Sequence, residues 1–506
     1  MRTRSVIVVV AAAMTAGALF APSAAAIQGG APAEEPYSFM GSLQRPTYLP
    51  APPGPDGHAC GAMVVAPQWV LTASHCARNP TGAAVGTPRE MYVRIGSLDN
   101  TRGGQFVEVD KFYRRGVEGD MWGKDIALLH LKTPVDGEPV ELADKAPEVG
   151  TTARVLGWGS TCSDGENTPD CYPTKLREID LEVQPIEACS PAVDGELCIG
   201  VRDGSIGPRN ADSGGPALIR DDGKWKLAGV VSGSGSNEPT LFTDVTRHRD
   251  WINGIVSGTD VPPEEPMPSV AGSVNLGTCV GSVVRTSTAR PDDPALLLTN
   301  GHCVEGKPPA PGSALVDRPA DRDVRIADDE GYPKATATAV RLVYATMTGT
   351  DIALYRLDKT YAELEHAGAR IFRLTDEPPN VGDQVDVLTT STRKSCEIEA
   401  VVPHVREDGY QLDHSLRYAA AESCLPMKGD SGSPVLSGET VVAIHSSTNI
   451  SGEKCTTDNP CEVAEDGTVT AEKGRSYAQQ VGGIPPCLTK DSRIDLHRPG
   501  CALTRP

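Results

Sequence analysis

Ala211-Asp212-Ser213-Gly214-Gly215-Pro216 and, some two hundred residues on, Gly429-Asp430-Ser431-Gly432-Ser433-Pro434 decide how this chain is read. Each stretch sets a serine between an aspartate and a glycine, amid too many turn formers for a helix or a central strand. A sharp turn exposes the hydroxyl and can aim neighbouring backbone N–H groups at one point beside it, the arrangement a tetrahedral acyl-transfer intermediate needs for its oxyanion. A serine alone is a weak nucleophile, so the reading requires a base and a group that orients the base. Leu71-Thr72-Ala73-Ser74-His75-Cys76 and Asp125-Ile126-Ala127-Leu128-Leu129 precede Ser213, while Leu298-Thr299-Asn300-Gly301-His302-Cys303 and Asp351-Ile352-Ala353-Leu354 precede Ser431. Histidine and aspartate lie 50 and 49 residues apart, aspartate and serine 88 and 80. A whole domain is duplicated.

Length agrees with that. The 506 residues divide into two domains of about 220 residues, each large enough for its own core. With 52 glycines, 42 prolines, few aromatic residues and short β-branched apolar runs, the expectation is all-β: many short strands joined by turns. Residues 1–26 have the three parts of a secretory signal: Arg2 and Arg4, an apolar run from Val6 to about Phe20, and small residues at Ala24-Ala25-Ala26. No later stretch is apolar enough to span a bilayer, so the processed protein is expected to be secreted and free of the membrane. Fourteen cysteines, none in the signal, suit an oxidising compartment and up to seven bridges. The 47 basic residues, less Arg2 and Arg4, leave a formal charge of −22 against 67 acidic ones. Such a surface repels nucleic acid. No metal cluster, phosphate loop or other cofactor motif is legible, and no cofactor is expected.

Cleavage after Ala26 would expose Ile27-Gln28-Gly29-Gly30, and here the chain resembles the trypsin-like (chymotrypsin-fold) serine proteases, whose mature members start Ile-X-Gly-Gly. The resemblance implies two tandem chymotrypsin-like units, each of two antiparallel six-stranded β-barrels, with a C-terminal helix in the first. The domains are then a first protease domain at 27–258, a Pro/Glu-rich linker at 259–268 and a second protease domain at 269–506 with a cysteine-containing tail. It implies His75, Asp125 and Ser213 as one catalytic triad and His302, Asp351 and Ser431 as another. The oxyanion donors would be the backbone N–H groups of Ala211 and Ser213, and of Gly429 and Ser431. In the family the new ammonium pairs with the aspartate before the serine, so Ile27 and Asp212 form an expected activation pair. The second domain has no free N-terminus, and Asp430 needs a neighbouring cation instead.

The same resemblance bridges Cys60 to Cys76, Cys279 to Cys303 and Cys189 to Cys198, with Cys162 and Cys171 closing a local loop. Cys396 with Cys424, Cys455 with Cys461 and Cys487 with Cys501 remain by exclusion only. Two departures stand out. Ala211 replaces the family's glycine, and its methyl is expected to restrict the peptide that carries one oxyanion donor. Gly207 stands six residues before Ser213, where an aspartate would select Arg or Lys, and Leu425 stands six before Ser431. Ser234 and Thr240 align with pocket-wall glycines, which would narrow the slot toward small uncharged side chains. His445, in Val442-Ala443-Ile444-His445-Ser446-Ser447, resembles the histidine of glutamate-specific bacterial members; as an imidazolium it would bind a substrate carboxylate. The expected partners are peptide or protein substrates, and protein inhibitors. The alternative to a tandem endopeptidase is a protease fold kept as a binding or regulatory module, with one or both sites silenced.

Overall fold

The computed structural model describes residues 27–46, 52–117, 119–162, 168–190, 192–234, 237–264, 266–421, 424 and 429–506. The signal segment 1–26 and Leu425 lie outside them. The chain folds as two units, one ending at Glu264 and the other running from Glu265, the latter also taking in Arg78–Ala83.

In the first unit the strands Met40–Gln44, His58–Ala66, Trp69–Thr72, Tyr92–Ile95, Gln105–Arg114 and Ala127–Leu131 form a closed antiparallel barrel, sealed where Gln105–Arg114 pairs with Ala127–Leu131. The apolar run after Asp125 is a buried strand because it lies between two partners, Leu128 facing Leu71 on one side and Tyr113 on the other. A second six-stranded barrel is built from Thr152–Gly157, Arg177–Gln184, Glu196–Ile199, Pro216–Asp221, Lys224–Ser234 and Thr240–Asp244. Its core gathers Val155, Leu181, Ile199, Val231, Phe242 and Ile27. The unit ends in a helix, Arg249–Val256, that buries Ile252 and Ile255.

The second unit repeats the plan. Ser273–Asn275, Val280–Arg285, Pro294–Thr299, Ala314–Ala327, Pro333–Thr346 and Ile352–Thr360 close one barrel; Gln384–Leu388, Arg393–Glu407, Tyr410–Tyr418, Pro434–Ser437, Thr440–Thr448 and Ser476–Gln480 close the other. The short strand Phe372–Leu374 pairs in parallel with both and joins them into one sheet. The tail, which carries little sequence pattern, packs onto the first of these barrels. Ile484, Leu488 and Leu496 join the core of Leu298 and Tyr344, and the Tyr344 hydroxyl donates to the Thr504 carbonyl at 2.9 Å. Seven disulfides are formed: Cys60–Cys76, Cys162–Cys171, Cys189–Cys198, Cys279–Cys303, Cys396–Cys424, Cys455–Cys461 and Cys487–Cys501. Among the described residues, no helix is long and apolar enough to cross a membrane.

Candidate active site

His75 sits in a single 3-10 turn, Ser74–Ala77, directly after the strand Trp69–Thr72, and the Cys60–Cys76 bridge clamps that turn to the neighbouring strand. Thr72 pairs with Ala127, so the register carries Asp125 to the same edge as the histidine turn. The Asp125 carboxylate then takes three bonds: Oδ1 accepts the His75 backbone N–H at 2.9 Å, and Oδ2 binds His75 Nδ1 at 2.7 Å and the Ser232 hydroxyl at 2.7 Å. Burial pushes the Asp125 carboxyl up, but the bond and charge of His75 and the Ser232 hydroxyl outweigh it and hold it below its ordinary value. With Asp125 on Nδ1, Nε2 is the ring nitrogen left to face a nucleophile.

Ser213 arrives from the second barrel. Two successive turns, Asp212 N–H to the Arg209 carbonyl and Gly215 N–H to the Asp212 carbonyl, set its place, and its own carbonyl accepts the Gly61 N–H at 2.8 Å. Gly61 follows Cys60, so this bond ties the serine turn to the histidine clamp. Gly214 has φ of +76°, and a Cβ there would lie 2.2 Å from Thr72 Oγ1; only glycine permits the approach.

The second unit reproduces these contacts one by one. Asp351 Oδ1 accepts the His302 N–H at 3.0 Å, and Oδ2 binds His302 Nδ1 at 2.7 Å and the Ser446 hydroxyl at 2.8 Å. The Ser431 carbonyl accepts the Val280 N–H at 2.7 Å, and a Cβ on Gly432 would lie 2.3 Å from Thr299 Oγ1. His302, Asp351 and Ser431 line one cleft. Burial lowers the proton affinity of His302, yet the Asp351 charge and bond more than restore it and raise it above its ordinary value. The Ser431 hydroxyl donates to the Ser446 carbonyl at 3.2 Å, a resting position from which a bound substrate must turn it toward His302.

Ser232 and Ser446 were not singled out by the sequence. They stand 19 and 15 residues after the respective serines, and because the two offsets differ no common spacing announces them. Lys394 is a further residue missed. Its Nζ lies 3.1 Å from Asp430 Oδ2, with both side chains 16% exposed, and so supplies the cation that the second domain lacks at its N-terminus. Lys394 comes from the strand Arg393–Glu407, where it pairs with Val387, and no spacing to Asp430 announces it.

Among the described residues the N–H groups of Ala211, Ser213, Gly429 and Ser431 make no hydrogen bond, which leaves both pairs open toward a developing oxyanion. Ala211 has φ of +70°, the left-handed region its glycine relatives would use, so the methyl is carried in that conformation and not expelled from it. Its carbonyl is held by His58, whose Nε2 lies 3.2 Å away. A carbonyl only accepts, so Nε2 carries the proton and Nδ1 accepts from the Ser42 hydroxyl at 2.7 Å. Burial, partly offset by the Ala211 bond, pushes His58 down to about 4 and keeps it neutral.

Asp212 is fully buried. Its Oδ1 accepts the Gly159 N–H at 2.7 Å and its Oδ2 the Arg209 N–H at 2.9 Å, while burial outweighs these bonds and the Arg209 charge and pushes it up to about 7. Ile27 is also fully buried, in the core of the second barrel, but among the described residues no bond joins it to Asp212. Gly207 bridges to Gln28; a Cβ on it would meet Leu181 and Thr240 Oγ1 at 3.7 Å, and the backbone of Ser234 pairs with Thr240. These pocket residues therefore cluster. His445 departs from expectation: it is 1% exposed, and burial, with the Lys394 and His302 charges, pushes it down to about 3. The imidazolium that carboxylate binding calls for is absent from the free protein at neutral pH, because a group taken out of water keeps its neutral form.

Each unit is thus a pair of closed barrels with a histidine–aspartate dyad, and its serine turn is tied by a backbone bond to the strand bearing the bridged cysteine or to the residue beside it, Gly61 in the first unit and Val280 in the second, a chymotrypsin-like plan present twice. The family described as "Trypsin" matches residues 27–252, and "Trypsin-like peptidase domain" matches residues 277–444. Beta-fibrinogenase mucrofibrase-3 of Protobothrops mucrosquamatus is 34% identical over 221 residues, 41% of this chain and 81% of that protein. Snake venom serine proteinase 4a of Crotalus adamanteus is 31% identical over 230 residues, 42% of this chain and 83% of that protein. The chain belongs to the trypsin-like serine proteases, a family of serine-type endopeptidases. Neuropsin, a serine protease expressed in the limbic system of mouse brain, is similar in structure at 24% identity and a TM-score of 0.37, over 46% of this chain and all of neuropsin; that likeness adds nothing to the assignment.

Proposed function

We propose that the chain is a secreted tandem serine endopeptidase in which both units cut peptide bonds. The observation that carries this reading is the recurrence of one geometry in both units: a histidine held through its backbone N–H and Nδ1 by the two oxygens of a buried aspartate, itself steadied by a serine hydroxyl. Ser213 and Ser431 attack the scissile carbonyl. His75 and His302 take the hydroxyl proton and return it to the leaving amine, while Asp125 and Asp351 fix the tautomer and stabilise the imidazolium. The N–H groups of Ala211 and Ser213, and of Gly429 and Ser431, bind the oxyanion.

Removal of residues 1–26 frees the Ile27 ammonium, which swings to Asp212 and ionises it. Asp212 is already buried and poorly ionised, so a cation brought to it is strongly stabilising. In the second unit Lys394 holds that place from the start. Gly207, Ser234 and Thr240 give the first unit an uncharged primary pocket, and Leu425, six residues before Ser431 in the sequence, is the residue proposed for that role in the second.

Labelling with a fluorophosphonate tests the reading on the secreted protein, its Ser213→Ala and Ser431→Ala forms and the double variant. Both units should react, each single variant should retain one labelled serine, and the double variant none. Reaction at neither serine in the native protein refutes the proposal and leaves the binding-module alternative. N-terminal sequencing checks the processing step: a start elsewhere than Ile27 removes the activation pair.

A further inference from the structure

The cleft that contains His302 and Ser431 has a second wall which the proposed reaction does not use. The strands Arg393–Glu407 and Tyr410–Tyr418 are joined by the two-residue turn Asp408-Gly409, with φ of +46° and +83°, as a tight hairpin of matching twist requires. The hairpin tip brings Glu407, Asp408 and Tyr410 to the cleft. Beside it runs the loop closed by Cys455–Cys461, which brings Thr457 and Asp458, and the Asp408 N–H donates to the Cys455 carbonyl at 3.2 Å. Turn and disulfide together fix three acidic side chains about a cleft of about 230 Å³; burial, against the His302 charge, pushes the Glu407 carboxyl up to about 7, so it is partly protonated in the free protein and a cation brought beside it ionises it. Glu407 and Asp458 act electrostatically on His302, so the acidic wall and the reaction centre share one field.

The rest of the lining is apolar or neutral. Met347, Tyr410, Leu412 and Ile450 offer hydrocarbon, and no lysine or arginine is among the described lining residues. His445 lines the same cleft, 1% exposed, with its Nδ1 buried and, among the described residues, without a hydrogen-bond partner. A buried polar nitrogen left unmet costs about 1–3 kcal/mol, which a ligand group that bonds to it recovers. Because this imidazole is neutral, it can accept from a cationic N–H but offers no positive charge to an anion.

Hydrocarbon leading to carboxylates matches a long side chain with a charged tip. We infer that this cleft is a subsite of the second unit that selects a lysine or arginine side chain of the substrate near the scissile bond, with Glu407 as the specificity-determining residue. The inference rests on the hydrolase reading of that unit, and it gives the cleft the sign opposite to that expected from His445 in the sequence.

The test uses the full secreted chain carrying Ser213→Ala, so that only the second unit cuts, with fluorogenic peptides in which lysine, norleucine or glutamate is placed in turn at each position from four before the cut to two after it. At one position lysine should exceed norleucine by about tenfold or more in kcat/KM, the effect of one charge-assisted hydrogen bond, expressed mainly in KM. The lysine-to-norleucine ratio should collapse in Glu407→Gln. Equal rates at every position, a preference for glutamate, or a lysine preference that survives Glu407→Gln overturns the inference. Anisotropy of labelled peptides bound to the Ser213→Ala/Ser431→Ala protein separates the site from the chemistry. If Ser431 proves unreactive yet lysine peptides still bind more tightly than norleucine peptides, the hydrolase reading fails and the subsite stands; loss of that preference overturns the subsite.

Discussion

Exchanging the residues that precede the two Asp-Ser pairs, Ala211→Gly in the first unit and Gly429→Ala in the second, is expected to have unequal effects, and the inequality can be worked from the backbone. Ala211 holds φ of +70°, a conformation that costs a non-glycine residue roughly 1–2 kcal/mol, and glycine removes that cost. Against it stand the lost burial of a methyl 4% exposed beside Cys171 and Tyr172, about 0.8 kcal/mol, and the extra freedom of glycine in the unfolded chain, about 0.4–1 kcal/mol. The terms nearly cancel, so Ala211→Gly should shift stability by less than about 1 kcal/mol. Gly429 has φ of +101°, and among the described residues a Cβ there would find no atom within 4 Å. Alanine gains no burial there and meets about 1–3 kcal/mol of strain, only partly offset by the restricted unfolded chain. A net loss of about 0.5–2 kcal/mol follows, or a few degrees of melting temperature for a domain of this size.

Calorimetry of the full chain measures both shifts, and the rate of fluorophosphonate labelling measures the consequence for chemistry. Because Ala211 already adopts the left-handed conformation, its N–H should be as well aimed as that of glycine, and Ser213 labelling in Ala211→Gly should stay within about threefold of the native rate. Recovering an oxyanion donor that the methyl had spoiled would instead raise it on the order of 100-fold or more. Such a gain, or a higher melting temperature for Gly429→Ala, refutes the reasoning.

Three other outcomes are expected. Ser446→Ala removes one hydrogen bond to the charged Asp351, worth about 1.5–3 kcal/mol, and should slow peptide hydrolysis by the second unit about tenfold or more in kcat. Lys394→Met leaves Asp430 without its cation and should reduce Ser431 labelling by at least about tenfold, with partial rescue by Lys394→Arg; equal labelling of Lys394→Met and native protein would remove Lys394 from the site. Asp212 gives a pH signature. In a chain that keeps residues 1–26, its folded pKa near 7 lies above the unfolded value near 3.8, so the unfolded state gives up its proton first as pH rises. The stability held below pH 4 is therefore lost on the way to pH 7, by on the order of 4 kcal/mol, whereas a chain beginning at Ile27 should lack that loss; denaturant melts of the two forms between pH 4 and 8 measure it.

The duplication, the all-β class and the six residues proposed for the two constellations were legible in the sequence by itself, because each lies in a short local motif whose turn formers, β-branched runs and spacing survive without knowledge of neighbours. The apolar runs that follow Asp125 and Asp351 both fold as strands, Ala127–Leu131 and Ile352–Thr360. What only the tertiary structure decided were relations between segments with no common motif. Ser232 and Ser446 reach the aspartates across 107 and 95 residues, and Lys394 reaches Asp430 from a strand 36 residues away. His58 holds the Ala211 carbonyl from 153 residues off. The proton affinity of His445 belongs with these relations: a residue name gives the ordinary value, but burial and the neighbouring Lys394 and His302 charges lower it, and both are properties of the folded surroundings. The left-handed backbone of Ala211 belongs there too, since a local preference against positive φ was overruled by the two turns and the His58 bond that surround it.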